Sequence, residues 1–387
     1  MRLLDSDQYK FSMQQAIMQH YPRAEAEYEL IVRAPVAWPD RFERLFGEIE
    51  SALVGNMTTL GSTELVGLRR SMPFLTPPYL DFLEHYRFDM DEVIECDRSG
   101  DGKELRLTVC GPWYRTVLWE VPLMALISEL YHAAHGEVDL RREDRAHAKA
   151  QLLRDAGVQV VEGGTRRRYS RGTQQIVLSV LEEHRVLAGT SNVALAMEFG
   201  CPCVGTVAHE WTMFHGACFG YQGANRRALQ RWVDTYQGQL GVALADTYGT
   251  AAFLAEFDPV LARVYDGVRQ DSGKPLDFAE RVIAHYEALG IDPRSKFIVF
   301  SDGLNAEKVI AINKQMQGRI GARFLVGTDL TCDVPGVTPL NMVIKLTRCR
   351  LSKDDPWRAT VKLSDAPGKA LGPTEEVSRC KAALGIA

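Results

Sequence analysis

VQVVEGGTRRRYSRGTQQIVLSVLEEHRVLAGTSN, residues 158–192, sets the architecture of this 387-residue chain. A short apolar run ends in Gly163 and Gly164. A helix-like stretch follows, and a second apolar run ends in Thr190, Ser191 and Asn192. A strand that turns through small or polar residues into a helix and then a new strand is a βα repeat. Repeated βα units imply a parallel sheet with helices outside. The pattern recurs in PCVGTVAHE (202–210), LGVALADTYG (240–249), VYDGVRQDSG (264–273), FIVFSDG (297–303) and ARFLVGTDL (322–330), and NMVIKL (341–346) closes the series. So many units suit a closed barrel better than an open, doubly wound sheet, which is the alternative. No GxGxxG follows the first strand of the series, which weakens a dinucleotide-binding reading.

Upstream the chain is mixed. Periodicity predicts a helix over residues 7–21, a strand over 26–32 and a helix over 40–54, before the proline-rich break PFLTPPYL. Alternation predicts a strand over 104–109. GPW (111–113) then turns the chain into a buried helix over 119–131, and a polar, charged helix spans 140–155.

A net charge of −5 and a pI near 6.0 speak against a broad grip on nucleic acid or anionic membrane. Any anionic ligand must then meet a local basic cluster. The most apolar stretch, 117–127, is broken by Glu120 and Pro122, well short of the ~20 residues a membrane span needs. MRLLDSDQYK carries acids and no hydrophobic signal core. The eight cysteines show no CxxC pair and no metal-ligand spacing with histidine, as expected of thiols in a reducing cytoplasm.

Polar residues gather at the C-terminal ends of the predicted strands, the rim that forms the active site in βα barrels. Helix capping accounts for single Ser, Thr or Asp residues there; it accounts poorly for Arg and His. GTRRRYSR (164–171) is the densest cationic feature, and arginine suits phosphate or carboxylate through its planar fork. Three consecutive arginines cannot share one face. Arg166, nearest the strand end after Gly164 and Thr165, is the candidate anion ligand, with Tyr169 opening the next helix. GTVAHEW (205–211) places His209 where a strand passes into a helix. A helix N-terminus disfavours imidazolium, and neutral imidazole is a nucleophile or general base. A hydrogen-bonded structural histidine is the alternative. In VRQDSG (268–273), Arg269 and Asp271 point the same way from an extended strand, with Ser272 beside them. They are either a grip for a small carboxylate or hydroxyl, or an internal ion pair. Asp246 of LADTYG is a candidate Mg²⁺ ligand or a helix cap. SDG and VGTDL put Asp302, Gly303, Gly327 and Thr328 on the last strands, where barrel loops often cradle phosphate.

In this order, DSDQYK, GPW, LWEVPLMALISE, GTRRRYS, GTSN, GTVAHEW, VRQDSG, FSDGL, VGTDLTCD, VIKL and KLSD resemble the nicotinate phosphoribosyltransferase family over nearly the whole chain. The resemblance implies an α/β chain: an irregular βα barrel of the type II phosphoribosyltransferase kind with an N-terminal α/β domain. The expected division is an N-terminal domain at 1–138, joined by the tail 347–387, and a catalytic barrel at 139–346. It implies ATP-coupled synthesis of nicotinate mononucleotide and pyrophosphate from nicotinate and 5-phosphoribosyl 1-pyrophosphate, with Mg²⁺ and a phosphohistidine, in the cytoplasm. It further implies a homodimer acting on small molecules, without nucleic acid or membrane. His209 matches the phosphorylated residue. Tyr9 matches the aromatic residue that reaches the pyridine ring, in the family from the neighbouring subunit. Arg166 and Arg269 match pocket arginines, and Asp302, Gly303, Gly327 and Thr328 match the ribose-phosphate cradle. Ser191 stands where the related nicotinamide enzymes carry an aspartate, which accepts from an amide but repels a carboxylate.

Three positions depart from the family pattern: Gly163 for an aromatic, Lys274 for an acid and Asp329 for a base. They motivate one alternative, a non-catalytic sugar-phosphate-binding barrel; the other, a nicotinamide phosphoribosyltransferase, is opposed by Ser191.

Overall fold

The parallel strands are short because each contributes only a few buried residues before the chain turns outward. In the computed structural model, which describes residues 3–34, 47, 51–52, 60–98, 104–134, 141–366, 368 and 370–386, the predicted strand ends and helices recur close to their sequence positions. The helix expected over 40–54 lies almost wholly outside the described residues.

Two compact units share the chain. The first comprises residues 1–15, 28–205 and 326–345. Strand β1 (Glu25–Arg33) enters it beside β3 (Glu104–Pro112), which pairs antiparallel with β2 (Val93–Arg98). On β3, Leu105, Leu107 and Val109 are buried while Arg106 faces outward, the period-2 signature of a half-covered antiparallel strand. Helix α1 (Gln8–His20) precedes β1. Helix α2 (Glu120–Ala134) is buried along most of its length, which explains its continuous apolar sequence. Helix α3 (Arg142–Asp155) buries only Ala146, Ala150 and Leu153, so its sequence reads as charged. The 158–192 unit folds as predicted: β4 (Val160–Glu162), helix α4 (Arg171–Glu183) and β5 (Leu187–Thr190), with β4 and β5 parallel. Helix α5 (Val193–Phe199) follows, with Asn192 capping Leu195 N at 3.0 Å.

The second unit comprises residues 16–27, 206–325 and 346–387. Strands β6 (Val242–Leu244), β7 (Gly267–Gln270), β8 (Phe297–Phe300) and β9 (Gly321–Val326) lie in that order, and each adjacent pair is parallel. Helix α6 (His209–Phe219) precedes β6. The C-terminal segment packs Val361, Leu363 and Cys380 against Tyr221, Ala224 and Tyr248. The chain is thus mixed α/β with parallel βα units, as predicted.

Three local expectations fail. PCVGTVAHE forms no strand; it pairs only through the Thr190–Cys203 bridge, with Thr190 N donating to Pro202 O at 3.0 Å and Val204 N to Thr190 O at 2.9 Å. Pro202 has no N–H to extend the ladder. The approach is close enough that a Cβ on Gly189, at φ +149°, would lie 2.5 Å from Pro202 O. NMVIKL does not close the parallel series either. It opens β10 (Asn341–Arg350), which sits beside β1 and pairs antiparallel with β11 (Arg358–Ala359). Tyr169 opens no helix, because its N–H donates to Thr331 O at 2.8 Å; Ser170 caps α4 by accepting from Thr173 N at 3.1 Å.

Candidate active site

In the first unit, residues 4–8 lie against the turn after β5. Gln8 N donates to Ser191 O at 2.8 Å, and Val193 N to Ser6 O at 2.9 Å. This lead-in carries Asp5 and Asp7 into a buried polar cluster. Ser191 Oγ donates to Asp7 Oδ1 at 2.8 Å. Burial pushes the Asp7 carboxyl above its usual range, although Arg166, Ser191 and Thr165 oppose the shift. From α1, the buried Lys10 ammonium lies 2.5 Å from Glu120 Oε2 at the start of α2. Arg166 donates to Glu120 Oε1 at 3.1 Å, and its Nε lies 4.0 Å from Asp7 Oδ2. Burial works against ionised Glu120, yet Lys10 and Arg166 together hold its carboxyl below the usual range.

The three arginines separate as their adjacency requires. Arg168 is 1% exposed, forks onto both Asp5 oxygens at 2.7 Å and reaches Glu129 at 2.6 Å. Arg167 donates to Met342 O at 2.6 Å. Arg166 keeps 40% of its side chain exposed, so its fork is the one presented outward. The turn carrying it, 165–167, is fixed from below. Glu162 accepts from Thr190 Oγ1 at 2.6 Å, from Gln174 Nε2 at 2.9 Å and from Gly164 N. Gly164 is required there, since a Cβ would lie 2.1 Å from Thr331 Oγ1. Tyr9 is half-buried, with Lys10 Nζ 5.3 Å from its ring centroid. Gly327 and Thr328 open the short helix at 328–331, and Lys149 pairs with Asp329 at 3.0 Å.

The second unit holds His209, Asp246, Arg269, Asp271 and Ser272 together. His209 is the first residue of α6; its Nε2 lies 3.1 Å from Asp271 Oδ2 and its Nδ1 lies 3.0 Å from Thr247 Oγ1. Arg269 donates to Asp271 Oδ1 at 2.8 Å, to Ser301 Oγ at 2.9 Å and to Thr206 Oγ1 at 2.9 Å. Alternation on β7 is what aims Arg269 and Asp271 at one another. Burial alone would raise the Asp271 carboxyl, but the Arg269 guanidinium, the His209 ring and Lys362 hold it well below the usual range. An ionised carboxylate only accepts, so His209 donates from Nε2 to Asp271. Asp246 is buried and accepts from Ser272 Oγ at 2.5 Å; it caps no helix, because Gly249 precedes the next one. Its Oδ1 lies 3.9 Å from His209 Nε2 and has no hydrogen-bond partner among the described residues. A buried hard oxygen left open fits a hydrated divalent cation such as Mg²⁺. Asp302 and Gly303 lie in the exposed turn after β8, with Gly303 at φ +57°.

Sequence reading passed over the groups that hold these residues: Lys10, Glu120 and Asp7 in the first unit, and Thr247, Ser301 and Asp365 in the second. Asp365 accepts from Thr250 N at 2.9 Å, and its own N–H donates to Ser272 Oγ at 3.1 Å. A signal existed for two of them. Glu120 interrupts an apolar stretch, and Lys10 sits in a helix of otherwise uncharged residues.

The model of the nicotinate phosphoribosyltransferase (NAPRTase) family matches residues 158–386, and that of its N-terminal domain matches residues 4–128. A nicotinate phosphoribosyltransferase of Desulforapulum autotrophicum is 46% identical over 98% of this chain and 97% of its own length. One of Chromohalobacter salexigens is 44% identical over 99% and 98%. Among solved structures, the nicotinate phosphoribosyltransferase of Porphyromonas gingivalis superposes with a TM-score of 0.95 at 40% identity, covering 100% of this chain and 99% of that one. That of Vibrio cholerae gives 0.93 at 33%, covering 100% and 94%. The chain is an enzyme of the nicotinate phosphoribosyltransferase family.

Proposed function

We propose that this enzyme joins nicotinate to 5-phosphoribosyl 1-pyrophosphate, releasing pyrophosphate, and couples the reaction to ATP through His209. The observation that carries the reading is the line Thr247, His209, Asp271, Arg269. Asp271, held ionised by Arg269, accepts the Nε2 proton and leaves the Nδ1 lone pair to attack the γ-phosphorus of ATP. The bond to the γ-phosphorus forms at Nδ1 as the β,γ-bridging P–O bond breaks, and ADP leaves. The ring then carries positive charge, which Asp271 stabilises as a buried carboxylate does in a catalytic triad.

In the transfer step, positive charge develops at the ribose anomeric carbon as pyrophosphate departs, and the pyridine nitrogen attacks there. The task of the chain is positioning and charge stabilisation. Arg166 and Arg269 are the anion-binding groups, and Asp302, Gly303, Gly327 and Thr328 cradle the ribose phosphate. Tyr9 stacks on the pyridine ring across a homodimer. Ser191, with no negative charge of its own, accepts a carboxylate-bearing base where an aspartate would repel it. Asp246 is the residue that holds Mg²⁺, which when bound neutralises pyrophosphate charge. We place the enzyme in the cytoplasm; among the described residues no helix is long and apolar enough to cross a membrane.

Pyrophosphate release, measured with nicotinate and with nicotinamide, each with and without ATP, tests the proposal. ATP-stimulated release with the acid is expected. Faster turnover of the amide, or ligand binding without release, overturns it.

A further inference from the structure

One cluster of metal-grade ligands shares no residue with either constellation. His147, on the half-exposed side of α3, and the pair Glu183–His184, at the end of α4, place their ligand atoms within 4.8 Å of one another. His147 Nδ1 and His184 Nε2 are 2.9 Å apart. No sequence spacing announces the cluster, because His147 stands far from the other two in the chain. It arises only when α3 and α4 pack.

Two imidazoles bound to one tetrahedral zinc ion at Zn–N distances of ~2.0–2.1 Å have their nitrogens about 3.3 Å apart. The observed separation needs only a small ring rotation to reach that value, and an ion would replace the single proton the two nitrogens now share. Glu183 supplies a third ligand, and its exposure leaves the fourth position to water. Charge favours a cation here. His184 is the C-cap of α4, where the helix dipole is negative, and Glu182 and Glu183 outweigh the neighbouring Arg185. Both platforms are firm: α3 is anchored by Ala146 and Ala150, and α4 by Val177, Leu178 and Leu181. Two nitrogen donors select a transition ion over Mg²⁺ or Ca²⁺, which take oxygen.

We infer that His147, His184 and Glu183 form a site for a first-row divalent transition ion, with zinc as its type, which cross-braces α3 and α4. The site is independent of the transfer chemistry, so failure of either reading leaves the other standing. The test uses untagged, full-length protein in excess Mg²⁺, which occupies the oxygen sites. Zinc is titrated against a chromophoric chelator, and cobalt is added in parallel. One ion per chain, a four-coordinate cobalt spectrum and a rise in thermal midpoint of about 5 °C at saturating zinc are expected. His147→Ala weakens zinc binding more than about 100-fold and removes the rise. Glu183→Gln weakens it about tenfold. The transferase rate and the metal-free midpoint of His147→Ala match wild type, which shows that the variant folds. Equal zinc affinity in wild type and His147→Ala overturns the site, and so does a six-coordinate cobalt spectrum.

Discussion

The two polar constellations use the same residue types to opposite ends. In the first unit, every carboxylate around Arg168 and Lys10 is matched. Asp5 takes the Arg168 fork and Asn192, Glu162 takes three donors, and Glu120 takes two cations. Such a network fixes a shape, here the 165–167 turn that presents Arg166. In the second unit the matching is left incomplete. Asp271 is held ionised against His209, while Asp246 Oδ1 has no hydrogen-bond partner among the described residues. A carboxylate given all its partners positions a group; one with an oxygen left open is where a reacting atom or ion can enter.

If that contrast is right, the largest single effect falls on the second constellation. His209→Ala should abolish labelling from γ-labelled ATP and the ATP-dependent gain in rate, leaving weak ATP-independent transfer. Histidine-bound label surviving in the variant would place the phosphoryl group elsewhere. Asp271→Asn should slow labelling by about 10²–10⁴-fold, since an amide can favour the wrong ring tautomer.

In the first constellation the corresponding loss is one of stability. Arg168→Met strips Asp5 of its fork while leaving it buried. Removing one partner of a buried pair costs about 3–5 kcal/mol, readable as a lowered urea midpoint. A loss below about 1 kcal/mol would mean that Asp5 simply takes up a proton and that the network is not what holds the turn.

A smaller effect tests what the fixed shape recognises. Ser191→Asp sets a second carboxylate beside Asp7, whose carboxyl burial already pushes up. The KM for nicotinate should rise about tenfold or more, and the acid-to-amide ratio of kcat/KM should fall with it. Ser191→Ala, which adds no charge, should leave the ratio near wild type. A ratio that moves equally in both variants would assign the effect to packing.

Legibility in the sequence followed the same division. The grouping of His209, Arg269 and Asp271 in the second constellation was readable because β7 and the start of α6 carry these polar residues at or next to their ends, whereas Thr247, Ser301 and Asp365 were not. Alternation pairs Arg269 with Asp271, and the strand-to-helix passage puts His209 at a helix start. The first was half readable. Arg166 was evident from its basic run, but its partner Glu120 lies 46 residues earlier, and Lys10 and Glu120 lie 110 apart in sequence. No local pattern encodes such pairing. The errors in the fold have the same origin. NMVIKL is as apolar as a parallel core strand, and only the polar residues that follow it, Thr347, Arg348 and Arg350 around buried Cys349, mark a half-exposed antiparallel one. PCVGTVAHE has strand composition, but tertiary packing grants it a single bridge.

The mildest test is pH, and here single buried groups respond with opposite sign. Burial raises Asp7 and Glu162 in the first unit, so the native form binds their protons more readily than the unfolded chain does, and these groups add stability as pH falls. In the second unit, burial lowers His215 to about 3, against an ordinary 6.5. Its Nδ1 donates to Trp211 O at 2.7 Å, and its Nε2 accepts from the Tyr21 hydroxyl at 2.8 Å, so a second ring proton would be buried and would force the Tyr21 hydroxyl to turn from donor to acceptor. The unfolded chain takes up that proton first. The stability His215 contributes is therefore complete above about pH 6.5 and is lost as pH falls toward about 3. Between pH 6.5 and 5 the expected loss is about 1.5 kcal/mol. His215→Gln keeps an acceptor for Tyr21 and cannot titrate. Subtracting its urea midpoints from those of wild type at each pH cancels Asp7, Glu162 and the partly buried His20, and isolates the one ring. A difference that stays flat from pH 6.5 to 5 would show that His215 is reached by water in the native state, and that the second unit is less tightly closed around α6 than its packing requires.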